Sequence, residues 1–353
     1  MSDTLTIRSY TGEYFVKYIE TLEFSNFIRK NDYLVIDKNI SNLYPEIRNS
    51  FDNEVYELEA DESSKTLLQV EILASTIIEK GFKKNHRLVA IGGGITQDVV
   101  GFLASIIYRG VEWMFIPTTL LAQADSCIGS KTSINFSTAK NLLGTFHPPR
   151  EIISCPKFID SLETSDIKSG IGEMLHYFLI YDTSIAELLM SDYDQIIQGD
   201  YGRLESYIKQ SLEMKKHLVE IDEFDNSERR VYNYGHTFGH AIESLSKYKV
   251  PHGQAVTLGM DMANFLSYKL DYINYQKYDK LHQIIRKNIP DFNIQPDQLK
   301  EYMSLLSKDK KNIDDSIVCI LPEGDKIKVK KITNKDKIKK YISEYFKIAV
   351  EEK

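Results

Sequence analysis

Three histidines lie close together in the sequence and could bind a metal ion. His236 and His240 are four residues apart in NYGHTFGHAIES, and His252 follows Pro251 in a predicted loop. Residues spaced by four share one face of a helix. Neutral imidazoles with a carboxylate form a common catalytic zinc site. The HExxH pattern of metalloproteases is absent. The spacing therefore indicates either a non-peptidase metal site or two ordinary helix histidines.

A metal site of this kind also needs a carboxylate, and Glu173 is the candidate. It lies in the apolar helical segment GIGEMLHYF. A buried carboxylate is costly unless it has a partner. We therefore expect Glu173 to meet the histidines.

A run of three glycines forms a second candidate site. Gly92, Gly93 and Gly94 follow a predicted strand and precede a predicted helix. Glycines allow backbone N–H groups to approach a phosphate, and the start of a helix adds partial positive charge. A tight structural turn is the other interpretation. Asp37, which ends an earlier predicted strand, could bind a ribose hydroxyl or be a surface carboxylate.

The elements that would position these residues alternate between strands and helices in the first half of the chain. The apolar runs at 33–37, 87–92 and 113–117 are typical of buried parallel strands. The segment 63–82 has the apolar spacing of a helix and ends at a glycine. This alternation predicts βαβ units and a twisted parallel sheet.

The pattern becomes helical after about residue 160. The runs at 316–321 and 326–332 flank a turn and predict a hairpin. The many lysines near the end alternate with isoleucines and tyrosines, which favours solvated faces of this hairpin and a last helix over an anion-binding patch. We therefore predict an α/β domain over 1–160 and a helical domain over 161–353.

Composition excludes several classes of protein. The chain has 353 residues, 27% of them charged, and a net charge of −7, which argues against a basic nucleic-acid-binding protein. No apolar run approaches the ~20 residues that cross a bilayer, and the first residues lack the apolar core of a signal peptide. Three scattered cysteines predict neither a disulfide framework nor a thiolate metal site. We expect a cytoplasmic protein without a membrane or nucleic-acid partner.

Several motifs together resemble one family. GGGITQDVVGF, PTTLLAQADSCIGSKTSIN, KNLLGTFHPP, SGIGEML, NYGHTFGHAIE and PHGQAV are similar, in this order, to the dehydroquinate synthase family of sugar phosphate cyclases. The resemblance extends from about residue 33 to about residue 332. It implies a Rossmann-like NAD-binding α/β domain, an all-α metal-binding domain, Zn²⁺ or Co²⁺ as the metal, and a cytoplasmic homodimer.

The resemblance also implies roles for individual residues. It assigns the metal to Glu173, His236 and His252, and it gives His240 a role in substrate binding or proton transfer. The NAD-binding positions of the family match Asp37, Glu62, Lys65, Gly93, Gly94, Asp98, Thr118, Thr119 and Lys140. The positions of its active-site loop and substrate-binding segments match Asp125, Lys131, Asn141, Lys215, Arg229, Asn233 and Lys310. Arg109 matches an arginine that reaches the phosphate bound by the neighbouring subunit.

Two positions depart from the family pattern. Ser130 replaces the second of two glycines, which is expected to narrow the pocket, and His176 replaces a lysine three residues after Glu173. Arg229 and Asn233, which resemble the carboxylate-binding positions of the family, are retained. The resemblance therefore favours 3-deoxy-arabino-heptulosonate 7-phosphate as substrate and 3-dehydroquinate as product.

The implied reaction has no net redox change. It combines oxidation of a ring alcohol by NAD, β-elimination of phosphate, return of the hydride, ring opening and aldol closure. One alternative is a related cyclase of the 2-deoxy-scyllo-inosose or valiolone type. Others are a metal-dependent alcohol dehydrogenase of the glycerol dehydrogenase type and a non-catalytic nucleotide-binding protein.

Overall fold

The computed structural model describes residues 4–137, 139–225, 228–307 and 316–351. The chain divides into a first unit, Met1–Glu163 with Tyr201–Phe224, and a second unit, Thr164–Asp200 with Asp225–Lys353. The sequence predicts a single boundary at residue 160. In the structure, however, the segment 201–224 lies in the first unit. This segment belongs to the first unit because its charged side chains pair there: Lys215 with Asp125 at 2.8 Å, and Glu220 with Arg8 at 3.1 Å.

The first unit contains a parallel sheet. The strands of this unit are β1 (Thr4–Ser9), β2 (Gly12–Tyr18), β3 (Asp32–Asp37), β4 (Val55–Leu58), β5 (Arg87–Gly92), β6 (Trp113–Pro117), β7 (Lys131–Phe136), β8 (Ala139–Phe146) and β9 (Glu151–Ser154). In the described residues the main sheet has the order β1-β2-β9-β6-β5-β3-β4, with β1 alone antiparallel, and β7 and β8 form a separate hairpin. Every residue of β5 and β6 is buried. The predicted parallel strands are confirmed.

Four helices lie between the strands of this unit in the chain. They are α1 (Lys38–Leu43), α2 (Pro45–Asn49), α3 (Leu67–Glu79) and α4 (Gly94–Ile106). Helix α3 lies within the predicted segment 63–82, and the side chain of Thr66 caps its start by accepting a hydrogen bond from the Gln69 amide.

The second unit is mainly helical. Its helices are α5 (Thr164–Tyr181), α6 (Thr183–Ile197), α8 (His236–Leu245), α9 (His252–Lys269), α10 (Tyr275–Ile285), α11 (Leu299–Ser307) and α12 (Lys335–Glu351), whereas α7 (Leu204–Ile221) belongs to the first unit. The predicted hairpin is present as β10 (Ile317–Glu323) and β11 (Lys326–Ile332), which pair antiparallel. Helix α9 is buried from Gly253 to Ser267 and is the core of this unit. Within the described ranges, no helix is both long enough and apolar enough to cross a membrane.

Candidate functional site

The glycine turn lies at the carboxyl end of β5. A Cβ on Gly92 would lie 2.4 Å from Thr96 Oγ1, and a Cβ on Gly93 would lie 2.9 Å from Thr119 Cγ2. These two glycines are therefore required by packing. A Cβ on Gly94, the first residue of α4, would meet no atom within 4 Å. Packing therefore does not explain Gly94, and the start of α4 has space there for a ligand.

The neighbouring strand ends contribute the other predicted residues of this edge. Asp37 ends β3 and accepts a hydrogen bond from the Asn39 amide at 2.8 Å. Thr118 follows β6, and its amide donates to Gly92 O at 2.9 Å. Burial raises the pKa of Asp37 above its usual value. Since ligands of open parallel sheets bind at the carboxyl ends of the strands, Asp37, the glycine turn, Thr118 and Thr119 form one candidate nucleotide site.

Lys65 is the centre of a polar network beside this edge. It is buried, and its Nζ donates to Asp98 Oδ2 at 2.7 Å and to Asn141 Oδ1 at 2.6 Å. The second oxygen of Asp98 accepts from the Ser133 amide at 2.9 Å. Burial raises the pKa of Asp98 although Lys65 opposes this effect. Asn141 has a φ of +51°, a conformation that asparagine tolerates better than most residues.

Glu62 extends the same network to Lys140. It accepts a hydrogen bond from Asn135 Nδ2 at 2.7 Å and lies 3.4 Å from Lys140 Nζ. Asn135 Oδ1 in turn accepts from the Asn141 amide at 2.9 Å. The structure thus joins Glu62, Lys65, Asp98, Lys140 and Asn141, five of the predicted residues. Sequence reasoning missed Asn135, although it ends the motif SKTSIN.

Two further predicted residues of the first unit form an ion pair. Lys215, buried on α7, lies 2.8 Å from Asp125 Oδ1 and also donates to the Asp125 carbonyl oxygen at 2.7 Å. Lys131 is exposed at the start of β7. Arg109 is exposed with a φ of +65°, and its side chain makes no hydrogen bond or ion pair with another described residue.

Ser130 has a φ of +65°, the left-handed conformation that favours the family's glycine. Its buried hydroxyl donates to Glu223. Glu223 also accepts from Ser9 Oγ at 2.7 Å and from the Tyr10 amide at 2.9 Å. The serine hydroxyl is thereby anchored to a carboxylate of its own unit.

In the second unit, close helix packing brings Glu173 to His252. A Cβ on Gly172 would lie 2.0 Å from Gly253 O, so α5 and α9 touch through their backbones. These glycines are the sequence neighbours of Glu173 and His252. Glu173 Oε1 lies 3.0 Å from His252 Nε2, and its Oε2 lies 3.8 Å from His236 Nε2. The predicted Glu173, His236 and His252 are therefore together.

His240 belongs to the same cluster. Ligand atoms of His236, His240 and His252 all lie within 4.8 Å of one another. The ring centroids of His236 and His240 are 5.4 Å apart, and His240 is stacked on His252 at 5.6 Å. His240 is thus near enough to be a ligand itself or to contact a molecule bound to the metal.

The cluster has an uneven distribution of charge. Burial lowers the pKa of His236 well below its usual value, so this imidazole is neutral. Burial also lowers the pKa of His252, but the carboxylates of Glu243 and Glu173 outweigh it and hold the pKa well above the usual value. Burial raises the pKa of Glu173, but the neighbouring imidazoles reverse this and hold the pKa well below the usual value. Glu173 is therefore a carboxylate.

Glu243 is a residue that sequence reasoning missed. Its Oε2 accepts a hydrogen bond from His252 Nδ1 at 2.9 Å, and His236 Nδ1 lies 3.3 Å from Tyr234 O. Both imidazoles therefore turn Nε2 towards Glu173. Carboxylate and carbonyl partners of this kind fix the orientation of metal-binding histidines. Its only trace in the sequence is its position three residues after His240 in the same motif, and this spacing alone does not identify it.

The donor set fits a zinc or cobalt ion. Glu173 Oε1 is buried and makes no hydrogen bond among the described residues, although His252 Nε2 lies 3.0 Å away. A buried carboxylate oxygen that makes no hydrogen bond and faces imidazole Nε2 atoms is a suitable ligand for a metal ion bound among them. One carboxylate with two or three imidazoles is a common ligand set for Zn²⁺.

Three predicted substrate residues remain. Asn233 donates to Arg230 O at 3.3 Å and is half-buried. The side chain of Arg229 and the whole of Lys310 lie outside the described residues.

The chain is similar to known proteins over most of its length. Residues 55–169 match the family model for the 3-dehydroquinate synthase N-terminal domain, and residues 170–312 match that for the C-terminal domain. The 3-dehydroquinate synthase of Dictyoglomus turgidum is 35% identical, over 94% of this chain and 90% of that protein. The one from Pelagibacter ubique is 37% identical, over 82% and 81%.

Solved structures share the fold. A 2-deoxy-scyllo-inosose synthase complexed with carbaglucose-6-phosphate, NAD⁺ and Co²⁺ has a TM-score of 0.86 and 24% identity, covering 97% of this chain and all of that one. A probable glycerol dehydrogenase from Sinorhizobium meliloti has a TM-score of 0.59 and 12% identity, with 90% of each chain covered.

Proposed function

The chain belongs to the 3-dehydroquinate synthase family, and we propose that it is an NAD- and metal-dependent sugar phosphate cyclase. It converts 3-deoxy-arabino-heptulosonate 7-phosphate to 3-dehydroquinate and releases phosphate. It is thus a carbon–oxygen lyase, and its product belongs to the shikimate route to aromatic amino acids.

The observation that carries this proposal is the cluster of Glu173, His236 and His252. The buried Glu173 Oε1 without a hydrogen-bond partner lies 3.0 Å from His252 Nε2. Glu243 fixes the ring of His252 through Nδ1 at 2.9 Å. These residues would hold Zn²⁺ or Co²⁺, and a 2-deoxy-scyllo-inosose synthase of the same fold is complexed with Co²⁺.

The first unit would bind NAD. Gly94 leaves space at the start of α4, where the pyrophosphate would bind, and Asp37 at the end of β3 would bind a ribose hydroxyl. Lys65 holds Asp98 and Asn141 in one arrangement through bonds of 2.7 and 2.6 Å, which pre-organises this edge before the cofactor arrives.

NAD would accept and return the hydride, while the metal polarises the reacting alcohol as a Lewis acid. The side chains of the chain itself would bind and orient the substrate. Its phosphate and carboxylate require cations, for which we propose Lys131, Lys215, Arg229 and Lys310, with Asn233 as a neutral partner. The ion pair of Lys215 with Asp125, at 2.8 Å, fixes the position of one cation.

We also propose that the protein is a cytoplasmic homodimer. Arg109 supports the dimer, because it is exposed and has no polar partner among the described residues of its own chain. Such an arginine is available to a ligand of a second subunit. Light scattering of the purified protein tests this: a mass near 81 kDa, twice the 40.7 kDa of one chain, is expected.

The decisive assay supplies the purified protein with the heptulosonate phosphate, NAD and Zn²⁺. Stoichiometric release of phosphate without accumulation of NADH is expected. Accumulation of NADH would instead indicate an alcohol dehydrogenase. Retained NAD binding without turnover would indicate a non-catalytic nucleotide-binding protein.

Substrate preference is tested with a second substrate, sedoheptulose 7-phosphate, which has no carboxylate. If Arg229 binds the carboxylate, Arg229→Met should lower kcat/KM for the heptulosonate by roughly 30-fold to several thousand-fold, a loss of about 2–5 kcal/mol. The effect on the neutral sugar phosphate should be far smaller. Arg230→Met, at the exposed neighbouring arginine, is the matched control. A wild-type protein that used only the neutral sugar phosphate would contradict the dehydroquinate assignment.

A further inference from the structure

His176 has an environment that the proposed reaction does not yet explain. It lies on α5 one helical turn after Glu173, and only 2% of its side chain is exposed. Neither of its ring nitrogens has a hydrogen-bond partner among the described residues. Leaving a buried polar group unsatisfied lowers the stability of the folded state. Such a residue calls for a hydrogen-bond partner.

The ring of His176 is held against the metal cluster. Its Nδ1 lies 3.4 Å from Glu173 Oε2. Its centroid is 5.3 Å from that of His236 in an edge-on arrangement, close to the 5.5 Å between His236 and His252. Tyr177 packs against the ring, with 3.9 Å between the centroids.

The unsatisfied atoms of this region cluster on one helical face. They are Glu173 Oε1 and both ring nitrogens of His176, three residues apart on α5. The Nδ1 of His176 needs to approach Glu173 Oε2 by only a few tenths of an ångström to make a hydrogen bond of about 3 Å. A carboxylate that binds a metal through one oxygen commonly accepts a hydrogen bond on the other.

We propose that His176 is a positioning residue of the metal centre. Its Nδ1–H donates to Glu173 Oε2 and fixes the carboxylate, so that Oε1 faces the cation beside His252 Nε2. The inference rests on the metal site proposed above. The lysine that the family resemblance places here would also donate, but it adds a fixed positive charge beside a divalent cation. An imidazole N–H can donate to the carboxylate without bringing a fixed charge.

Metal affinity of the full-length protein tests this role without an activity assay. The metal is removed with a chelator, and Co²⁺ and Zn²⁺ are titrated back in competition with a chromophoric chelator. His176→Ala should weaken both affinities about 10- to 100-fold, as expected for loss of a residue that orients a ligand. His176→Asn should bind within about threefold of the wild type, because the asparagine amide can replace Nδ1–H. His176→Gln, whose amide corresponds to Nε2, should resemble the alanine variant.

The Co²⁺ absorption spectrum separates positioning from direct ligation. At saturating Co²⁺, the visible bands of His176→Ala should keep the wild-type intensity, because the ligands are unchanged. His217→Ala, at an exposed histidine of α7, is the control and should leave affinity and spectrum unchanged. Equal metal affinity of His176→Ala and wild type would overturn the positioning role of His176 but not the metal site. Altered bands in all three His176 variants would also overturn it and would indicate that His176 is itself a metal ligand. A wild type that binds neither metal would overturn the metal site itself.

Discussion

The two units of the molecule contain buried polar clusters that differ in how their atoms are satisfied. In the first unit, Arg87 is buried and donates to both oxygens of Asp32, at 3.1 and 2.6 Å, and to Glu151 at 3.0 Å. In the second unit, Glu173 and His176 are equally buried but retain three atoms without a hydrogen-bond partner in the described residues. Both clusters carry charge.

The difference separates structural charges from charges that bind a ligand. A buried charge whose hydrogen bonds are complete stabilises the fold only as long as its partner is present. A buried group that lacks partners lowers stability until a ligand supplies them. Substitutions in the Arg87 cluster (Arg87, Asp32 and Glu151) should therefore change the free energy of unfolding. Substitutions in the Glu173 cluster of the second unit should change metal binding and turnover.

The largest effect is expected from His252→Ala. It removes the imidazole that lies 3.0 Å from Glu173 Oε1, and metal retention should be lost. Loss of a Lewis acid removes several kcal/mol of transition-state stabilisation, so phosphate release should fall at least about 1,000-fold. Metal content after gel filtration and the phosphate assay measure this. The NAD affinity of the variant should stay at the wild-type value. A variant that kept its zinc and near-normal turnover would contradict the assignment of His252 as a ligand.

Asp32→Ala should have the largest effect on stability. It leaves the Arg87 guanidinium buried without its main partner, which costs about 3–5 kcal/mol. Trp113, the single tryptophan, is buried in β6 of the same unit, so its fluorescence during urea denaturation measures unfolding of that unit. Glu112→Ala is the matched control, because its ion pair with Arg29 is exposed and is worth at most about 1 kcal/mol. Similar denaturation midpoints for the two variants would contradict the comparison.

Local patterns were sufficient to predict much of the first unit and one site residue of the second. The buried runs of β3, β5 and β6 are continuous and apolar, and burial on both faces of a parallel sheet dictates this composition. Glu173 could be identified because an acid in an apolar helix requires a partner. These inferences depend only on neighbours in the sequence.

The remaining features depend on contacts between distant residues. Helix α7 belongs to the first unit because Lys215 reaches Asp125, 90 residues earlier in the chain, and no local pattern indicates this. Glu243 resembles an ordinary polar helix residue until its bond to His252 is known. Similarly, the two packing glycines and the open position of Gly94 look alike in the sequence GGG.

Gly94→Ala should change cofactor binding without changing stability. Its Cβ would meet no protein atom within 4 Å, so the Trp113 denaturation midpoint should stay at the wild-type value or rise slightly. The same methyl group would occupy the expected path of the pyrophosphate and should weaken NAD binding about tenfold or more, as measured by calorimetry. Gly93→Ala is the contrasting variant, because its Cβ would lie 2.9 Å from Thr119 Cγ2 and should also lower stability. Unchanged NAD affinity in Gly94→Ala would exclude the turn from cofactor binding.

The smallest effect concerns the pH dependence of the Arg87 cluster. Burial raises the pKa of Glu151, but Lys17 and Arg87 more than cancel this and hold the pKa below its usual value of 4.5. A carboxyl group with a lowered pKa contributes stability above its unfolded pKa, and this contribution is lost as the pH falls through the folded pKa. Glu151→Gln should therefore be less stable than wild type by about 1 kcal/mol at pH 7, and the difference should shrink below about pH 4. Urea denaturation followed by Trp113 fluorescence at several pH values measures this difference. If it stayed constant down to pH 3, Glu151 would not titrate with the cluster, and its bond to Arg87 would act through shape and hydrogen bonding alone.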